Sequence, residues 1–203
     1  FKNAEAPHIR YLSEAECRQL VAACEPDFRE IVRAALLTGC RYGELCRMGV
    51  ASYNVEVCTV SILQSKSGKR RHVALNDEGR ALFDEMTIDK KPIDLIFTRE
   101  DGSQWGHAHQ HRRMQAASAV AGISPAVRFH DLRHTYASLL AMNGTELQVI
   151  AEALGHASTV VTRRHYAHLA PSYVADQVRA KLPQFGFEKS NVRRLTSGAH
   201  EAR

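Results

Sequence analysis

No apolar run in this chain approaches the ~18 residues needed to span a bilayer, and no signal-peptide pattern opens it. It also lacks a Cys-x-x-Cys pair, an internal repeat and any low-complexity stretch. The five cysteines (Cys17, Cys24, Cys40, Cys46 and Cys58) are an odd count, all in the first third of the chain and within apolar or mixed segments. They read as reduced thiols packed like small hydrophobes in a cytoplasmic protein, not as a disulfide or zinc framework. Acidic excess is missing too: Lys plus Arg exceed Asp plus Glu by 27 − 22 = 5, and the pI is near 9.1. That tilt permits a polyanionic partner without requiring one. What is present is an ordinary globular balance, 44% hydrophobic and 24% charged over 203 residues, which excludes a disordered or fibrous chain. The length suits roughly one domain with its own core. The first residue is Phe1 and not Met, so the expectation is a piece of a longer protein.

Residues 1–11 are polar, contain Pro7 and show no period, as an arm or linker would. Ser13-x-x-Glu16 is a capping box, and Cys17, Leu20 and Val21 behind it predict a helix to about Cys24. Phe28, Ile31, Val32, Ala35 and Leu36 repeat at helical spacing until Gly39, a C-terminal stop, and a short helix restarts over Arg41–Met48. Between Ser52 and Leu75 the period becomes two: Val55/Val57, Val60/Ile62 and Val73/Leu75 predict short strands, with a turn over Ser65–Lys69. Helical spacing returns after the Asn76 cap. Ile93–Thr98 reads as extended, and helices are expected over about 106–121, 130–143, 145–154, 157–166 and 171–182. The predicted fold class is mainly α with a small antiparallel β-sheet (α+β). The domain spans 12–182, and a tail follows from 183 to 203.

The densest chemistry lies in His130-Asp131-Leu132-Arg133-His134. On a helix, positions 130, 133 and 134 share a face, so two imidazoles and a guanidinium project together. His-x-x-x-His can bind zinc, but Arg133 would repel the ion and Asp131 is a methylene shorter than the Glu of a zinc hydrolase. A forked guanidinium beside imidazole donors suits a phosphate instead. Taken singly, His134 is equally a buried, satisfied histidine. Arg41 follows the Thr38-Gly39-Cys40 break, where an anion would be attracted, though an isolated arginine is most often ordinary surface. Lys66 and Lys69 sit on the hairpin tip, His156 follows Gly155 at a helix break, and Tyr166 lies in the cationic run Arg163-Arg164-His165-Tyr166.

In order along the chain, Thr38-Gly39-Cys40-Arg41-Tyr42-Gly43-Glu44-Leu45, Lys66 on a hairpin, His130-x-x-Arg133-His134-Thr135, Leu154-Gly155-His156 and His165-Tyr166 resemble the tyrosine recombinases of the phage-integrase family. The resemblance covers about Leu12 to Leu182. It implies a tyrosine-recombinase-like catalytic domain and a site-specific recombinase that cuts and rejoins DNA through a covalent 3′-phosphotyrosine. By this likeness Arg41 and Arg133 hold the phosphate and Tyr166 is the nucleophile. His130 takes its proton, Lys66 (with Lys69 on the same turn) protonates the leaving 5′ oxygen, and His156 donates a hydrogen bond. Glu44 matches the acidic support beside the first arginine. The roles suit the chemistry, because a phenol of pKa near 10 is ionised in only about one molecule in a thousand at pH 7. Two arginines ease loss of its proton and stabilise the charge that builds in the transition state. No metal or other cofactor and no ATP are implied, since the ester conserves the bond energy for rejoining.

The partners implied are double-stranded DNA and, for the longer protein, a homotetramer on that DNA. Residues 1–11 would then be the remnant of an interdomain linker. His107, His109, His111, Arg112 and Arg113 crowd one predicted helix start, and either contact DNA or form a solvated helix end. Alternate residues diverge around a helix, so the three histidines cannot share one ion. Arg112, Arg113 and His134 are therefore the candidate DNA contacts. The stripe Tyr173, Val174, Val178 and Leu182 packs either on its own domain or on a neighbouring protomer. Competing functions are a type IB topoisomerase-like strand transferase and a non-catalytic DNA-binding relative.

Overall fold

In a computed structural model of the chain, residues 9–63, 70–169 and 181–183 are described. The chain divides into two units, Phe1–Pro171 and Ser172–Arg203, and everything that follows concerns the first. The predicted helix over 171–182 and its apolar stripe fall almost wholly outside the described residues.

Helix α1 (Glu14–Ala23) begins where its capping box requires: Glu16 N donates to Ser13 Oγ, and Ser13 N donates back to the Glu16 carboxylate at 2.7 Å. Helix α2 (Pro26–Thr38) has Pro at its first position and ends on Gly39, whose φ of 62° is a left-handed conformation that a Cβ would strain. Its apolar stripe, Phe28, Ile31, Val32 and Ala35, is buried against helix α6 (Phe129–Met142). At about 1.5–3 kcal/mol for each large side chain fully removed from water, this contact anchors the domain. Phe28 sits between Trp105 and Phe129, with ring centroids 5.5 and 6.3 Å away, and Leu12 is pinned alongside by its N–H donating to Thr135 Oγ1.

One-turn helix α3 (Tyr42–Leu45) leads to a three-stranded antiparallel sheet, β1 (Tyr53–Asn54), β2 (Thr59–Leu63) and β3 (Arg70–Ala74), ordered β1-β2-β3. The first strand differs from the predicted one. Val55 and Val57 lie in the turn after β1, exposed, because Cys58 takes a positive φ of 49° and reverses the chain there. In the β2–β3 register Val60 opposes Val73 and Ile62 opposes Arg71, so Arg71 shares the buried face with Val73. Leu75, expected to end the last strand, lies just beyond it and donates its N–H to Cys58 O. Residues 93–98, read as extended, make only the isolated bridges Gly49↔Leu95 and Thr98↔Gln104.

Helices α4 (Asp77–Thr87) and α5 (His109–Val120) follow. Helix α5 starts three residues later than its spacing predicts, because Gly106 N donates to His109 Nδ1 and holds residues 106–108 in a turn. Beyond α6, helices α7 (Leu147–Leu154) and α8 (Thr159–Tyr166) enclose a second small core of Ala137, Ala141, Ile150, Leu154 and Tyr166. The mainly helical class with a small antiparallel sheet is the observed one.

Candidate active site

Gly39 turns the chain out of α2, so Arg41 arrives at the mouth of α3 with Glu44 one turn ahead. Glu44 accepts from Arg41 twice, at 2.8 Å from the backbone N–H and at 2.9 Å from Nη1. From β3, Arg71 forks onto the same carboxylate at 3.0 and 2.7 Å, and its Nε donates to Ala153 O at the end of α7. Burial pushes the Glu44 carboxyl up, but the hydrogen bonds and charges of Arg71 and Arg41 outweigh it and hold it at about 2. Exposure separates the three side chains. Arg71 and Glu44 are 5% and 11% accessible, whereas Arg41 keeps 47% and can fork onto an anion.

Arg133, on α6, is buried without a hydrogen-bonded carboxylate among the described residues. Its Nη1 donates to Gly39 O at 2.7 Å and its Nη2 to Leu154 O, the carbonyl-rich ends of α2 and α7, whose partial negative charge suits a cation. Burial and the neighbouring charges of Arg41 and Arg71 lower it to about 10, so it stays protonated at neutral pH. Arg41, Gly43, His107, Gln110, His130 and Arg133 line one depression of about 220 Å³ with no carboxylate among its lining residues. Its size and charge fit a phosphate group. His130 is lowered from its ordinary value by burial and by Arg133 and Arg41, so it is a neutral imidazole at pH 7.

His156 follows Gly155 in the break after α7 and hydrogen-bonds Thr162 Oγ1 through Nδ1 at 2.8 Å. Burial, then Arg133 and Arg41, push it down to about 4, which sets it within reach of the guanidinium charges. Tyr166 ends α8 and is 1% exposed. Its hydroxyl lies 2.7 Å from His134 Nδ1, one helical turn beyond His130. Burial pushes the phenol up to about 12 despite the charge of Arg133. Thus Arg41, His130 and Arg133 share a pocket, Glu44 and Arg71 brace Arg41 beside it, and His156 and Tyr166 are not among its lining residues. Lys66 and Lys69 fall outside the described residues.

Comparison with known proteins settles the family: the model of the phage integrase family matches residues 10–172. The chain belongs to the phage integrase family. This family member is 30% identical to the integrase of Salmonella phage P22 over 195 residues, which is 91% of the chain and 50% of that integrase. Among solved structures, the catalytic domain of bacteriophage HP1 integrase matches at 32% identity and a TM-score of 0.65, covering 85% of this chain and 95% of that one. The crystal structure of XerA recombinase matches at 27% identity and a TM-score of 0.69, over 88% of this chain and 68% of that one. The chain spans about half the length of the phage integrases it matches, 50% and 49% of the P22 and HP1 proteins.

Two of the three candidate DNA contacts in this phage-integrase domain already hold other partners. His134, a candidate DNA contact, is turned inward to Tyr166. Arg113, another, has its Nη1 2.6 Å from Glu25 and 2.7 Å from Asp27 and lies over the Trp105 ring, so carboxylates already neutralise it. Arg112 is exposed and has no ion pair among the described residues. Arg71 was not a sequence candidate, although its alternation with Val73 signals an inward side chain. His107 was seen only as part of a basic helix start, yet it lines the pocket.

Proposed function

We propose that this chain is the catalytic half of a site-specific DNA recombinase that cuts and rejoins strands through a 3′-phosphotyrosine. The observation that carries the reading is the convergence of Arg41, His130 and Arg133 on one carboxylate-free pocket, with the Tyr166 hydroxyl held at His134, one helical turn along α6 from His130. The names of the relatives, integrase and recombinase, support it. Arg41 and Arg133 fork onto the non-bridging oxygens of the scissile phosphate and stabilise the charge that builds there. Tyr166 is the nucleophile. Lys66 protonates the departing 5′ oxygen and His156 donates a hydrogen bond at the phosphate, while His130, the proton acceptor that the family likeness implied, lines the pocket and makes no hydrogen bond to Tyr166 among the described residues. Because two guanidiniums supply the positive charge and the ester keeps the bond energy, the reaction runs without metal or ATP. The substrate is double-stranded DNA, and the longer protein acts as a homotetramer on it.

The test is incubation with a nicked suicide duplex in the presence of a chelator, followed by mapping of the residue attached to the 3′ phosphate. Adduct at Tyr166 is expected, with none in Tyr166→Phe although DNA binding persists. Adduct surviving that substitution refutes the nucleophile assignment.

A further inference from the structure

We propose that His134 is the group that takes the proton from the Tyr166 hydroxyl as that oxygen attacks phosphorus, an inference that rests on the strand-transfer function above. Its Nδ1 stands 2.7 Å from Tyr166 Oη, inside the distance a general base needs. Among the described hydrogen bonds none joins His130 to Tyr166. His130 faces the phosphate pocket and meets His134 edge to face, with ring centroids 4.7 Å apart. The two imidazoles of His-x-x-Arg-His therefore divide the work, the outer one toward the phosphate and the inner one toward the nucleophile.

A phenol pushed up to about 12 stays protonated at pH 7, and the tautomer assigned to His134 is the one in which that O–H donates to a Nδ1 that carries the lone pair. His134 itself is lowered to about 4, by burial first and then by His130, His165 and Arg133, with Asp131 opposing, and is neutral. Facing it are His130, Asp131 and Arg133 from its own helix and His165 and Tyr166 from α8. At rest the phenol is pushed up and the imidazole down, so the proton remains on Tyr166. An entering phosphodiester brings negative charge beside Arg133, which offsets that guanidinium's small share in lowering His134, while the larger effect of burial stays. In the step itself the Oη–H bond breaks and the proton passes to Nδ1, while its electron pair becomes the new Oη–P bond. The P–O5′ bond breaks with its pair on the 5′ oxygen, which takes a proton from Lys66 or water. On rejoining, the His134 imidazolium returns its proton to the leaving tyrosyl oxygen.

The experiment is single-turnover adduct formation by the full 203-residue chain on a suicide duplex, with wild type, His134→Asn, His134→Ala and His130→Asn compared from pH 6 to 9. Asn keeps a hydrogen-bond acceptor for Tyr166 but cannot accept the proton. We expect H134N to bind DNA as wild type does and to form adduct about 100-fold more slowly, in line with the contribution of a general base. Its rate should rise about tenfold per pH unit, as expected when only ionised phenol reacts. Replacing the 5′ bridging oxygen by sulfur, which leaves without a proton, should not restore it. Added imidazole should restore part of the activity of H134A. A H134N rate within threefold of wild type, full rescue by the sulfur substrate, or a steepened pH profile in H130N alone would overturn the assignment. A wild-type chain that forms no adduct at Tyr166 refutes the strand-transfer function itself, and this inference with it.

Discussion

Arg71→Met removes the inner guanidinium of the Arg71–Glu44–Arg41 relay while keeping an unbranched side chain in its place. Three hydrogen bonds go with it, two to the Glu44 carboxylate and one to Ala153 O, and Glu44 is left with Arg41 alone. The magnitude can be reached by two routes. Glu44 is held at about 2 against an ordinary 4.5, a difference that corresponds to about 3 kcal/mol. Removing one partner from a buried ion pair costs about 3–5 kcal/mol independently. Because Arg41 retains part of the pairing, the lower figure applies, and in a chain of this size it lowers Tm by roughly 6–12 °C. The pH dependence gives a second signature. Glu44's folded value is depressed, so its stabilisation is complete above about 4.5 and is lost as pH falls toward 2. In R71M the loss over that window should shrink. Thermal and urea melts at pH 7, 4.5 and 3 measure both effects. A Tm within 2 °C of wild type, or an unchanged acid slope, would show that the clamp contributes nothing and that Arg41 is placed by other means.

Gly39→Ala should lower stability by at least about 2 kcal/mol in urea melts. Its Cβ would meet Tyr136 Cδ1 at 2.5 Å on a backbone with φ of +62°, and the carbonyl that accepts from Arg133 would shift with it. Arg112→Ala should weaken DNA binding and reduce the slope of log affinity against log salt by about 1. Arg113→Ala should leave that slope alone and lower Tm instead, because its partners are Glu25 and Asp27; equal slopes for the two variants would sink the distinction. His134 and His156 both fall to about 4 on folding from 6.5, so the unfolded chain binds their protons first. Stability should therefore be level above about pH 7 and decline as pH falls from 6.5 toward 4. After allowance for solvent screening this amounts to about 2 kcal/mol for each ring, and His156→Gln should remove its own share.

The amino-acid order determined whatever depends on neighbours within a turn. Ser13 and Glu16 cap α1 because the capping bonds span three residues, and Gly39 and Gly155 stop α2 and α7 because only their own φ is at issue. The helical and two-residue periods placed most elements to within a few residues, and the motif order around Arg41, His130, Arg133, His156 and Tyr166 carried the family likeness. Val55 and Val57 show the limit: their alternation is that of a strand, but the reversal at Cys58 leaves them in a turn. Tertiary structure alone decided which polar groups meet across long separations. Arg71 reaches Glu44 over 27 residues and Ala153 over 82, Arg133 reaches Gly39 over 94, and Arg113 is drawn to Asp27 over 86. It also chose His134 over His130 as the ring that meets Tyr166, because α8 packs on the inner turn of α6 and carries the phenol there. Side chains four apart on one helix are alike to a periodicity argument, and only the packing of another helix against them makes one a partner and leaves the other facing the pocket.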